Sequence, residues 1–160
     1  DDDFTLEAYV NLRDAFSFPL IAGKQVSGNF LDRGFELQGR PDAANGGGEA
    51  GPGKWKALFR SRDGGSTDDL LSADLNYNTW YHLAAVRNGA SLSLYVDGVL
   101  ATSKAITNGG SYTSGQEFSV GGANVTGGPP GNFGRAVNGY VDEVRLSNIA
   151  LTPPQFLNTQ

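Results

Sequence analysis

Apolar and polar residues alternate along much of this chain. Over residues 4–12, Phe4, Leu6, Ala8, Val10 and Leu12 are interleaved with Thr5, Glu7, Tyr9 and Asn11, the two-residue period of a strand with one buried face. The pattern returns in GFELQG (34–39), WKALF (55–59), WYHLAAV (80–86), and over residues 91–96 and 99–103. Short apolar runs at PLIAG (19–23) and FSVG (118–121), and a closing YVDEVRL (140–146), bring the tally to roughly ten predicted strands. Residues 41–53, 61–69, 107–117 and 121–135 are rich in Gly, Pro, Ser and Asp and read as loops. Turns at this spacing predict an all-β sandwich or jelly roll. Only the tail breaks the pattern: Thr152 is placed to cap a short turn opened by Pro153 and Pro154.

Composition narrows the class. The 160 residues fit one domain, 1–160, large enough for a real core. Hydrophobic residues make up 39% and charged residues 18%, which excludes a disordered chain, and no apolar run reaches the roughly 18 residues of a membrane span. The net charge of −5 argues against nucleic acid. With no Cys there is neither a disulfide framework nor a thiolate metal site. The chain starts at Asp and contains no Met, so it reads as part of a longer, processed protein.

In LSLYVDGVLA (92–101), Asp97-Gly98 separates two apolar alternations. This is the signal of a two-residue type I′ hairpin turn, which needs positive φ at both central residues. The turn sets an expected register: Val96 opposite Val99, Tyr95 opposite Leu100, Leu94 opposite Ala101 and Leu92 opposite Ser103. Asp97 is then an architectural acid, and Tyr95 a minor candidate for a ligand-facing surface.

Around that hairpin, WYHLAAVRNGASLSLYVDGVLATS (80–103) resembles the central stretch of laminin G-like, concanavalin A-like jelly-roll domains. FTLEAYVNL (4–12), FSVGG (118–122) and VNGYVDEVRLSNIALTPPQF (137–156) resemble the family's early strand, its short strand before a variable loop, and its closing strand. The resemblance runs in order along nearly the whole chain. It narrows the fold to a two-sheet antiparallel jelly-roll sandwich and implies a structural His82 and a buried Trp80. The family usually has a strand before the one at 4–12, and only Asp1–Asp3 stand there. An unpaired sheet edge is therefore expected.

Some relatives of this fold are glycoside hydrolases whose catalytic strand resembles Glu-x-Asp-x-Glu, two carboxylates serving as nucleophile and general acid. Here Glu7, Glu36, Glu49, Glu117 and Glu143 are followed two positions on by Tyr, Gln, Gly, Ser and Arg. That chemistry is absent, and with a single His no triad is expected.

Asp142 shares strand parity with Val144 and Leu146, which should face the core, where a carboxylate needs a partner. Arg145, a backbone N–H or water at a sheet edge would satisfy it, and so would Ca²⁺. The resemblance implies a structural calcium held by Asp142 with Asp2 or Asp3. For sugar binding, the chemistry calls for flat aromatic faces and planar polar groups. The candidates on or near loops are Trp55, Arg60, Tyr77, Tyr112, Asn124, Asn132, Phe133 and Arg135, with Arg62 beside them. Trp55 alternates with Ala57 and Phe59, so it reads equally as core. An acidic loop at Ser66, Thr67, Asp68 and Asp69 would suit a calcium rim, or be a solvated turn.

The reading is a non-catalytic carbohydrate-binding module of a secreted, bacterial protein. It would take a poly- or oligosaccharide and act beside the other domains of a parent enzyme. The alternatives are a calcium-dependent protein-binding adhesion module and, more weakly, an unfamiliar enzyme.

Overall fold

The computed structural model describes residues 3–15, 18–24, 34–45, 48–110, 112, 117–124 and 133–157. Among them are thirteen strands. They are β1 (Phe4–Asp14), β2 (Leu20–Lys24), β3 (Gly34–Pro41), β4 (Lys54–Asp63), β5 (Ser66–Leu71), β6 (Leu75–Asn76), β7 (Tyr81–Asn88), β8 (Ser91–Val96), β9 (Val99–Ala105), β10 (Ser119–Val120), β11 (Ala123–Asn124), β12 (Phe133–Gly134) and β13 (Asn138–Ser147). The first sheet runs β13-β1-β7-β8-β9 and the second β10-β2-β3-β4-β5, with β6 on β4; β11 and β12 pair separately. All these strand pairings are antiparallel.

The alternation read from the sequence decides which face is buried. Phe4, Leu6, Ala8, Val10 and Leu12 of β1 meet Leu37, Trp55, Ala57 and Phe59 of the second sheet, with Leu83, Leu92 and Leu94 alongside. Trp55 and Phe59 are fully buried, and each such side chain contributes about 2–3 kcal/mol of transfer free energy.

The Asp97-Gly98 turn has positive φ at both residues, 50° and 74°. Val96 faces Val99 and Tyr95 faces Leu100 as expected. A bulge between Leu94 and Tyr95 then shifts the rest, so Leu94 faces Thr102 and Leu92 faces Lys104. Asp97 also does more than turn the chain. Its carboxylate accepts the His82 N–H at 2.8 Å, while its own N–H donates to the His82 carbonyl.

Four other expectations are corrected. Residues 61–69 are not a loop: Gly64 and Gly65, both at positive φ, turn β4 directly into β5. The strand was masked because Asp68, not an apolar residue, takes an inward position; it is fully buried, held by Lys104 and by Thr107. The unpaired edge expected at β1 is not there, since β13 pairs on one side and β7 on the other. Trp80 is 47% exposed rather than in the core, because it precedes β7 and alternates against the inward-packed Tyr81. Leu146 is likewise exposed, although Val144 packs on the core.

After β13 the chain returns across the outer face of the first sheet. Thr5 donates to the Ile149 carbonyl and accepts from the Leu151 N–H. Phe156 packs with Ala84 and Val86 and edge-on to Tyr95, so Tyr95 is not a free ligand surface. Thr152 opens the short 3-10 turn Pro153–Gln155, whose Gln155 side chain accepts from the Thr152 N–H.

Candidate functional site

The outer face of the second sheet is built by the same alternation. Since Leu37, Trp55, Ala57 and Phe59 point inward, Glu36, Gln38 and Arg40 of β3 and Lys56, Leu58, Arg60 and Arg62 of β4 point outward. Register sets them in rows across the strands: Glu36–Arg60–Asp69, and Leu20–Gln38–Leu58–Leu71.

Four guanidinium groups meet three carboxylates here. Arg60 makes a two-pronged ion pair with Asp69, with Nε donating at 2.6 Å. Arg40 donates to Glu49 and lies 4.2 Å over the Phe18 ring. Glu36 receives Arg135 at 2.6 Å and faces Arg62 at 3.7 Å. Arg135 enters from the segment after β12, donates to the Phe18 carbonyl at 2.8 Å, and takes the Gln38 carbonyl oxygen as well. The bond to Asp69 raises the Arg60 guanidinium above its ordinary value, and burial lowers that of Arg62; both stay cationic at neutral pH. Gln38 Nε2 and Arg40 Nε are buried and find no hydrogen-bond partner among the described residues.

Two of the sequence candidates, Arg60 and Arg135, fall on this face together, with Arg62. Trp55 does not: it is fully buried, its indole N–H donating to the Asn76 carbonyl and its ring edge-on to Tyr81. Tyr77 packs against the core, and Tyr112 is wedged edge-on between Phe4 and Phe35 with Arg87 over its ring. Burial pushes both phenols up. Neither ring is presented as a sugar platform. Asn124 pairs with Phe133 between β11 and β12, their side chains lying outside the described part, as does the whole of Asn132. Sequence reasoning missed Glu36, Gln38, Arg40 and Glu49, and named Asp69 only for an acidic rim, whereas it pairs with Arg60. The polar positions of GFELQGR, read as one strand face opposite those of β4, carried the signal for three of them.

Of the residues named for calcium, Asp142 and Asp3 are not brought together. A bulge at Glu143, with φ of 49°, slips the β1–β13 register between Glu7–Arg145 and Tyr9–Asp142. That slip turns Asp142 outward, where its carboxylate accepts the Glu143 N–H at 2.8 Å. Asp142 stands opposite Tyr9, about 20 Å further along β1 than Asp3. Asp3 accepts the Gly89 N–H at 2.6 Å; Asp2 lies outside the described residues. Among the described residues no three His, Asp or Glu cluster as metal ligands. The supposed acidic rim is strand β5, and both its carboxylates are held by cations.

The two sheets form an antiparallel jelly-roll sandwich, one of them with a polar, arginine-lined outer face. The chain belongs to the concanavalin A-like lectin/glucanases superfamily, whose sequence model matches residues 1–155. No curated protein sequence matches the chain significantly. Among solved structures, it is similar to the CBM40 of a Ruminococcus gnavus IT-sialidase bound to α2,3-sialyllactose (12% identity, TM-score 0.70, 96% of this chain and 80% of that one). It is also similar to domain 4 of AbnA, a GH43 extracellular arabinanase from Geobacillus stearothermophilus, in complex with arabinotriose (17%, 0.64, 96% and 64%). A third is a putative carbohydrate binding protein from Bacteroides ovatus (23%, 0.65, 96% and 39%). At these identities the likeness is one of fold, and the chain spans well under half of that last protein.

Proposed function

We propose that this domain is a non-catalytic carbohydrate-binding module, working in a secreted protein beside a glycan-active partner domain, and that sugar lies on the outer face of the second sheet. The observation that carries this reading is the lattice of planar guanidinium, carboxylate and amide groups on this face, in which Arg60 is fixed by Asp69 and Arg135 by Glu36 and Gln38. Planar cations held in place in this way are suited to sugar hydroxyls. The carboxylates on this face are each engaged by arginine, which suits them to fixing guanidinium positions rather than to donating a proton as a hydrolase acid would. The solved relatives named for arabinotriose and sialyllactose support the ligand class.

The test is a glycan array with wild type, Gln38→Ala and Arg60→Ala, with and without EDTA. We expect saturable binding and no product release. Each substitution weakens it by roughly tenfold, the worth of a charge-assisted hydrogen bond. EDTA leaves binding unchanged, since Asp3 and Asp142 stand apart. Binding that both variants retain in full would move the sugar elsewhere, and calcium-dependent capture of proteins with no glycan binding would favour an adhesion module.

A further inference from the structure

The outer face of the first sheet holds a second feature, at the end that the C-terminal segment, as described to Leu157, does not cover. Val10 and Leu12 point to the core, so Asn11 and Arg13 point out. Tyr140 pairs with Asn11 on one side of β1, and Trp80 directly precedes Tyr81, which pairs with Val10 on the other. A Cβ at Gly139 would stand 2.1 Å from the Asn11 carbonyl oxygen, so only glycine lets β13 come this close and deliver Tyr140. The two rings pack with centroids 6.1 Å apart and planes 30° apart, yet are 47% and 51% exposed. Arg13 lies 4.9 Å over the Tyr140 ring and donates to its hydroxyl.

Single exposed aromatics are ordinary. Two stacked rings half in water, rimmed by an amide and a guanidinium, are not required by the core. The C–H patches of a pyranose fit such rings, and its hydroxyls fit Asn11 and Arg13. Asp14, Asp142 and Glu143 lie on the flanking positions against the single cation Arg13, so the local charge opposes a carboxylated or sulfated sugar. We propose that Trp80, Tyr140, Arg13 and Asn11 form a second sugar platform for a neutral polysaccharide, on the opposite side of the sandwich from the arginine face. The proposal builds on the carbohydrate reading above but uses none of its residues.

Affinity electrophoresis and calorimetry with xyloglucan, glucomannan and arabinoxylan, and with polygalacturonate as the acidic control, test it. Trp80→Ala and Tyr140→Ala should each weaken binding of a neutral polysaccharide by roughly tenfold. Trp80→Phe, which keeps a flat ring, should retain most of it, and melting temperatures should stay near wild type. Neutral binding unchanged in both alanine variants, or lost only in Arg60→Ala, overturns the platform and leaves the arginine face standing. Self-association of wild type that Trp80→Ala abolishes overturns it too, a second copy then being the occupant. Failure of wild type to bind any glycan overturns both readings.

Discussion

The outer face of the first sheet has two halves, treated in opposite ways. Toward the start of β1, Thr5, Glu7 and His82 lie under the returning C-terminal segment and are buried. Toward its end, Asn11, Arg13, Trp80 and Tyr140 are left to solvent, with Trp80 and Tyr140 about half exposed. The covered half is the more polar. Glu7 there faces His82 Nε2 at 3.2 Å, Arg145 Nε at 2.8 Å and the Leu157 N–H at 2.9 Å, while Phe156 packs on the imidazole. β7, β13 and the tail each supply the Glu7 carboxylate with a partner, while His82 Nδ1 finds none among the described residues. The tail also closes an apolar cluster of Ala84, Val86 and Phe156 over this half. The open half keeps its large apolar rings outside, which is why those rings read as a site and the buried Glu–His pair as architecture.

The strongest way to break the contrast is Glu7→Ala. It leaves His82, Arg145 and the Leu157 N–H without their acceptor beneath the tail. We expect a loss of about 3 kcal/mol in urea unfolding. A loss below about 1 kcal/mol would mean that the tail docks on apolar contacts alone.

Acid sharpens the same point less severely. Burial raises the Glu7 carboxyl, but hydrogen bonds from His82, the Leu157 N–H and Arg145 outweigh it and leave it below its ordinary value. Asp68 behaves alike: burial raises it, and Lys104 and Thr107 more than reverse that. A carboxyl depressed in the folded state contributes stability above its unfolded pKa, which is lost as pH falls through the folded value. Stability should therefore be level above about pH 5 and fall below about pH 4. Glu7→Gln should flatten that fall.

Legibility in the sequence followed the same division. Alternation disclosed the inward residues of β1, β3, β4, β7 and β8, and the Asp-Gly turn disclosed its hairpin, because both are local signals. It could not show β5, where a buried Asp68 stands for an apolar residue, nor the exposure of Asp142, since the bulge at Glu143 is set by pairing with β1. Arg60 and Arg135 were legible as planar cations; that Arg135 and Arg62 converge on Glu36 beside the Arg60–Asp69 pair needs strands from distant parts of the chain. Trp80 was misplaced because the family resemblance implied a packed Trp, whereas its exposure follows from its place before β7, alternating against Tyr81.

The smallest expected effect belongs to the open half itself. Arg13→Ala removes the guanidinium over Tyr140 and the bond to its hydroxyl, a contact that looks on paper as rich as those around Glu7. Its groups, however, are exposed. Water takes over every hydrogen bond that Arg13 gives up, and an exposed cation–π pair is worth roughly 0.5–1 kcal/mol before the arginine side-chain entropy regained on release is subtracted. The net change in unfolding free energy should fall within about 0.5 kcal/mol, while affinity for a neutral polysaccharide drops measurably. A stability loss matching that of Glu7→Ala would show that the ring pair is held for the fold, and the distinction between the two halves would collapse.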